Sequence, residues 1–127
     1  MLTELDEILK SLAPETDSQQ YVFCQVPGDV TAYLEWAPVA IIQEREGSTL
    51  ILTESAAREA GLEYADTFHR ITLMVHSSLQ AVGLTAAVSG RLAQAGIAAN
   101  MVAGYCHDHI FVPAERAEEA LGLLSGF

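Results

Sequence analysis

The sequence predicts an α+β fold: an antiparallel-rich sheet with its helices on one face. Three observations predict it, namely a strand period over 68–76, an apolar repeat at spacings of three and four over 81–95, and two strands followed by a helix over 97–124. In the first stretch Ile71, Leu73 and Val75 share one face, and Arg70, Thr72 and His76 share the other. The resulting order is strand, helix, strand, strand, helix. With a right-handed first crossover, this is the ferredoxin-like arrangement short of its fourth strand.

Each element has a local justification. Ser77-Ser78-Leu79-Gln80 reads as a capping box that starts a helix, because a serine and a glutamine three residues on can satisfy each other's orphan amides. Ala81, Leu84, Val88, Leu92 and Ala95 then form the apolar stripe, and Gly96 ends the helix. Strands over 97–104 and 108–112 flank a hairpin loop, Tyr105-Cys106-His107. Pro113 opens the last helix, in which Glu115, Glu118 and Glu119 suit the positive end of the dipole and Ala117, Ala120, Leu121 and Leu124 are buried.

The first half is read in the same way. Leu2, Leu5, Ile8, Leu9 and Leu12 mark a short amphipathic helix before Pro14, and Glu15 to Gln20 reads as a polar linker. Strands are expected over 21–26, 39–46 and 49–53, the last two forming a hairpin around Gly47-Ser48. Thr53 caps a helix over 54–60 that Gly61 stops. This β, ββ, α order becomes a second half of the same kind if the loop 29–38 replaces its first helix. The expected division is 1–64, an N-terminal half with a leading helix, and 65–127, a C-terminal βαββα half. Each half needs to complete its sheet, since open edges invite aggregation, and exchange of edge strands or a single continuous sheet would both do so.

Composition narrows the function classes. Half of the 127 residues are apolar, so a core is achievable, and 17 acidic against 6 basic residues give a formal charge of −11. That balance opposes nucleic acid as a partner, because affinity for phosphate backbones comes from lysine and arginine. The N-terminus has no positive n-region and no stretch approaches a membrane span, so a cytoplasmic location is expected, with no membrane partner. Cys24 and Cys106 lie far apart without CxxC spacing and read as free thiols.

Leu73-Met74-Val75-His76, then Val82-Gly83-Leu84, then Leu92-Ala93-Gln94-Ala95-Gly96-Ile97, resembles the ACT family of small-molecule-binding regulatory domains. The resemblance covers the last half of the chain and implies amino-acid sensing by paired domains whose sheets join edge to edge. The expected architecture is therefore a stand-alone tandem, an ACT-like pseudo-dimer. Within the family the hinge is similar to the serine-sensing domain of phosphoglycerate dehydrogenase, with His76 and Ser78 in the corresponding places. Val82-Gly83 stands where the family has Pro-Gly, and Ala98 where it has a polar residue. Asn100 shares the face of Ala98 and can take over that contact.

The expected site is the hinge where the strand turns into its helix, because free amides and the dipole there attract a carboxylate. His76, Ser77, Ser78, Leu79, Val82, Gly83, Leu84, Asn100 and Met101 are the candidate ligand-binding residues. The backbone around Ser78 to Gly83 would take the ligand's carboxylate. His76, Ser78 and Asn100 would orient its polar groups, and Val82, Leu84 and Met101 would shape an apolar wall. The implied protein is a non-catalytic sensor without cofactor, acting on an unknown protein partner or through its own assembly, a homodimer included.

Other readings accompany this one. Cys106-His107-Asp108-His109 lies at the same end of the sheet as His76, making His76 and His109 expected neighbours and a zinc-type site a second reading. Cys106 with His76 or His109 also offers a nucleophile and base, without an evident third orienting group. A purely structural interaction module is the remaining alternative. Tyr33, Trp36 and Pro38 are candidates to line a pocket but read first as packing, and Glu44-Arg45-Glu46 reads as a solvated hairpin end without chemistry.

Overall fold

The computed structural model describes residues 1–127. In chain order the elements are α1 (Leu5–Lys10), β1 (Pro14–Val26), a 3-10 helix (Thr31–Trp36), β2 (Ala40–Glu44), β3 (Gly47–Thr53), α2 (Glu54–Glu59), β4 (Phe68–Leu73), α3 (Leu84–Gln94), β5 (Asn100–Ala103), β6 (Asp108–Pro113), a 3-10 turn (Ala114–Arg116) and α4 (Ala117–Leu124). They form two compact units, one of Met1–Ser18 with His69–Phe127 and the other of Gln19–Phe68. The strand β1 runs from the first unit into the second.

In the first unit the strand order is β1-β4-β6-β5, and β5 pairs with β6 antiparallel from Asn100↔Phe111 to Ala103↔Asp108. Ile71 and Leu73 of β4 and Ile110 and Val112 of β6 point to one face, as period-two alternation requires. Ile8 and Leu12, Val88 and Leu92 of α3, and Ala120 and Leu124 of α4 cover that face, all of them buried. Complete burial of each Leu or Ile stabilises by roughly 1.5–3 kcal/mol, so the α1 segment is a structural part of this unit.

In the second unit β1 pairs with β3 and β2 with β3, both antiparallel, in the order β2-β3-β1. Val22, Cys24, Val26, Leu50, Leu52 and Ala57 form its core. Thr53 caps α2, its Oγ1 accepting from Ala56 N–H at 3.3 Å, and Gly61 follows the helix at φ +72° as a left-handed stop.

Several boundaries differ from the sequence expectation. The polar stretch Glu15 to Gln20 is strand, not linker: β1 begins at Pro14. Strand pairing uses backbone groups and tolerates polar side chains, and Asp17 on β1 sits 3.3 Å from Arg70 on β4. The β2–β3 turn is Arg45-Glu46 rather than Gly47-Ser48, with Glu44 facing Gly47. Strand β4 stops at Leu73 instead of His76, because the amides of Met74 and Val75 donate to the carbonyls of Ala13 and Leu12 at 3.1 and 3.3 Å. Pro113 ends β6 and caps a 3-10 turn over Ala114–Arg116, so the α-helix itself opens only at Ala117.

Candidate functional site

The hinge after β4 is longer than the sequence suggested. Ser78 and Gln80 do not form a capping box: Ser78 Oγ accepts from Gln80 N–H at 3.1 Å, a local turn two residues long, and α3 begins only at Leu84. Gly83 precedes the helix at φ +100°, a left-handed conformation that favours glycine, and a Cβ there would lie 2.9 Å from Leu5 Cδ2. The first-turn amides of α3, on Leu84, Thr85 and Ala86, have no intrahelical acceptor, the bond from Ala87 N–H to Gly83 O being the first of the ladder.

The N-terminal segment holds the other side of this hinge. Leu2 N–H donates to His76 O at 2.9 Å, and Ser78 N–H donates to Leu2 O at 2.8 Å, making a parallel bridge between Leu2 and Ser77. Ala81 N–H donates to Ser78 O at 3.0 Å. The amides of Ser78, Gln80 and Ala81 are therefore engaged by the chain itself. The amides at the start of α3 lack an intrahelical acceptor and so can serve another one.

A cleft of about 100 Å³ opens between this hinge and the β5–β6 hairpin. Ser77, Ser78, Leu79, Ala81, Leu84 and Thr85 line one side, and Ala103, Gly104, Cys106, His107 and Asp108 the other. Ser77, only 9% exposed, directs its hydroxyl to Asp108 Oδ2 at 3.4 Å. Gly104 keeps the hairpin tight: its N–H donates to His107 O at 2.9 Å, and an added Cβ would come within 2.8 Å of that same oxygen. His107 lies against His76 with ring centroids 4.8 Å apart and the ring planes tilted by 57°, and its Nδ1 is buried without a hydrogen-bond partner. An unpaired buried nitrogen costs about 1–3 kcal/mol, a cost His107 carries out of reach of solvent.

Of the sequence-predicted site residues, Ser77, Ser78, Leu79 and Leu84 line this cleft. His76 lies behind it against His107. Gly83 sets the helix start, while Val82 is 84% exposed. Asn100 donates through Nδ2 to Phe111 O at 3.2 Å, and Met101 packs against the core. Neither of those two is among the cleft residues. Ala81, Thr85, Ala103, Gly104, Cys106, His107 and Asp108 complete the lining without having been counted as ligand contacts. The signal that finds the hairpin residues among them is the ferredoxin-like strand order, which sets β6 beside β4 and so brings the β5–β6 hairpin to the end of β4.

The second reading of the hairpin fares less well. His109 turns its Nδ1 to Thr72 Oγ1 at 3.0 Å, so the imidazole beside His76 is His107, not His109. Burial first, then the positive charge of Arg70, lowers the pKa of His109. No group of three or more His, Cys, Asp or Glu side chains is placed to hold a metal ion. The donors a zinc-type site needs are divided between the cleft wall and the β4–β6 ladder.

Family models account for both halves of the sequence. One ACT domain model matches residues 2–69 and another matches residues 68–126. The chain belongs to the ACT domain family. A Vibrio cholerae protein of unknown function, named a possible transport protein, is similar to it at 51% identity over 97% of this chain and 94% of that one, with a TM-score of 0.89. The regulatory subunit of aspartate kinase from Thermus thermophilus, in its ligand-free form, shares the fold at 15% identity, TM-score 0.69, over 90% of this chain and 95% of that one. An Agrobacterium tumefaciens protein also shares it at 13% identity and TM-score 0.74, over 88% and 85% of the respective chains. No curated protein matches the chain. In the ACT frame the hinge between β4 and α3 is the strand-to-helix corner that the sequence singled out. No helix is long and apolar enough to cross a membrane.

Proposed function

We propose that the chain is a non-catalytic sensor that binds an amino acid or a related metabolite in the cleft between the β4–α3 hinge and the β5–β6 hairpin. The observation that carries this reading is the cleft itself: it lies where an ACT domain turns from strand to helix, and it combines first-turn helix amides with serine hydroxyls and a carboxylate. Likeness to an aspartate kinase regulatory subunit supports a regulatory role over a catalytic one. Ser77, Ser78, Leu79 and Leu84 contact the ligand, His76 acts by backing His107, and Gly83 sets the angle at which α3 presents its amides. The two ACT-like halves are 1–64 and 65–127, with segments exchanged between them. Ligand binding alters a protein partner or the assembly state through the difference in its affinity for the two states.

A thermal-shift screen with the twenty amino acids tests the reading. One of them raises the melting temperature, since occupancy at 100 times Kd adds about 2.7 kcal/mol of stability, and Ser78→Ala and His76→Ala reduce the shift. A hit undiminished by both substitutions would move the site elsewhere, and no hit among the twenty, or among their α-keto and α-hydroxy acids, at millimolar concentration would remove the sensor reading.

A further inference from the structure

We infer that residues 1–4 are a two-state strap on the cleft, docked on the β4–α3 hinge in this structure and released when Thr3 caps α1. The strap's link to a ligand rests on the sensor reading above and gives that site a regulatory element. Docked, Leu2 forms its parallel bridge with Ser77, donating from its N–H to His76 O at 2.9 Å and accepting from Ser78 N–H at 2.8 Å. These two bonds flank Ser77, whose hydroxyl donates to Asp108 Oδ2 at 3.4 Å, so they fix the wall that Ser77 and Ser78 give the cleft. Docking leaves the other end of the strap incomplete. Helix α1 starts from Glu4, held extended at φ −78° and ψ 122° with no side-chain cap. The residue before it is a threonine, and Thr3-Glu4-Leu5-Asp6 has the spacing of a capping box ahead of the apolar repeat of Leu5, Ile8, Leu9 and Leu12. The docked strap does not use that box.

The two arrangements exclude each other. For Thr3 to cap, Glu4 must become the first helical residue, its ψ turning from 122° to about −42°, and the chain before it then leaves α1 in another direction. Leu2 cannot follow that turn and keep both bonds to the hinge. A bridge without a cap therefore competes with a cap without a bridge. Ile8 and Leu12, buried in the core, anchor α1 in both states, so the exchange is confined to the residues before Leu5. A ligand seated against the Ser77–Ser78 wall favours the docked strap, and by linkage the docked strap favours the ligand to the same degree. The order of residues 1–4 then reports whether the cleft is filled.

Residue-resolved amide hydrogen exchange on the intact chain tests this. Leu2 and Ser78 are expected to exchange through one local opening, at least about tenfold faster than Met74 and Val75, whose bonds to Ala13 and Leu12 lie outside the strap. Thr3→Ala removes the cap of the released state alone, so Leu2 and Ser78 exchange about fivefold more slowly. A threonine with only a local structural role gives no such gain in protection. Leu2→Pro, which deletes the donor to His76 O, speeds exchange at Ser78 and leaves Val75 unchanged. Ser78 exchanging no more slowly in Thr3→Ala, or Val75 opening together with Ser78 in Leu2→Pro, overturns the strap. The ligand arm uses millimolar mixtures of the twenty amino acids and of their α-keto and α-hydroxy acids, one of which is expected to slow Ser78 exchange at least about fivefold. A mixture that raises the melting temperature without slowing Ser78 overturns the coupling and leaves the sensor reading intact. Mixtures that do neither overturn the sensor reading, and the strap's link to a ligand with it, while Thr3→Ala still decides the strap itself.

Discussion

His109 shows how one side chain ties the fold to pH. Its ring is partly buried between β4 and β6 and near Arg70, and both influences disfavour the imidazolium, leaving its pKa below the ordinary 6.5. The unfolded chain therefore takes up a proton at higher pH than the folded one. The contribution of His109 to stability is complete above about 6.5 and is lost as pH falls from there through the lowered folded value. The melting temperature is expected to drop between pH 7.5 and pH 5.5, and to drop less in His109→Asn, whose amide can keep the contact with Thr72 Oγ1. Equal slopes in the two proteins, measured by differential scanning fluorimetry, would exclude His109 as the titrating group. The sequence showed His109 only as one of several histidines near a turn. Its role depends on Thr72 and Arg70, 37 and 39 positions away, and a single strand's period cannot reveal the partner across the ladder.

At the scale of elements, what was legible depended on whether the signal was local. Thr53 and Gly61 bound α2 because a cap and a left-handed stop are made within the segment itself. Ser78 and Gln80 misled because the same residue types that cap a helix also close a short turn, and contacts from Leu2 and Leu5 pull the chain into the latter. The cleft was half legible for the same reason: Ser77, Ser78, Leu79 and Leu84 follow from the hinge, whereas strand order put His107 and Asp108 at the same end of the sheet without showing that they line the same cleft. Gly83 is where the hinge is set. Alanine at φ +100° is strained, and the added methyl displaces Leu5, so Gly83→Ala is expected to cost about 1–2 kcal/mol. In denaturant unfolding its midpoint should fall with the slope unchanged, and loss of the amino-acid response should exceed what the lost stability explains, since the first-turn amides of α3 are re-aimed. A neutral result would mean that the segment 74–83 accommodates either conformation.

For the whole molecule, the boundary between family models and the boundary between compact units do not coincide. The two ACT models meet at residues 68–69, yet Met1–Ser18 packs with His69–Phe127. The physical reason lies in Ile8 and Leu12, which are buried against the stripe of Val88 and Leu92 and the face of Ile71 and Leu73, and in β1, which borders β4. A fragment made of 65–127 alone would lose those side chains and leave β4 with an open edge. The expected outcome is that this fragment shows no cooperative unfolding transition by circular dichroism, and that adding a synthetic peptide of residues 1–18 restores part of one. Within the intact chain, Ile8→Ala should cost about 2–5 kcal/mol, as for other fully buried Leu or Ile truncations. Because the same segment carries Leu2, whose backbone bonds to His76 and Ser78, that loss should be accompanied by a weaker amino-acid response. A fragment 65–127 that folds with the stability of the whole chain would mean that the leading helix only decorates the C-terminal half, and that the β4–α3 hinge takes its shape without it.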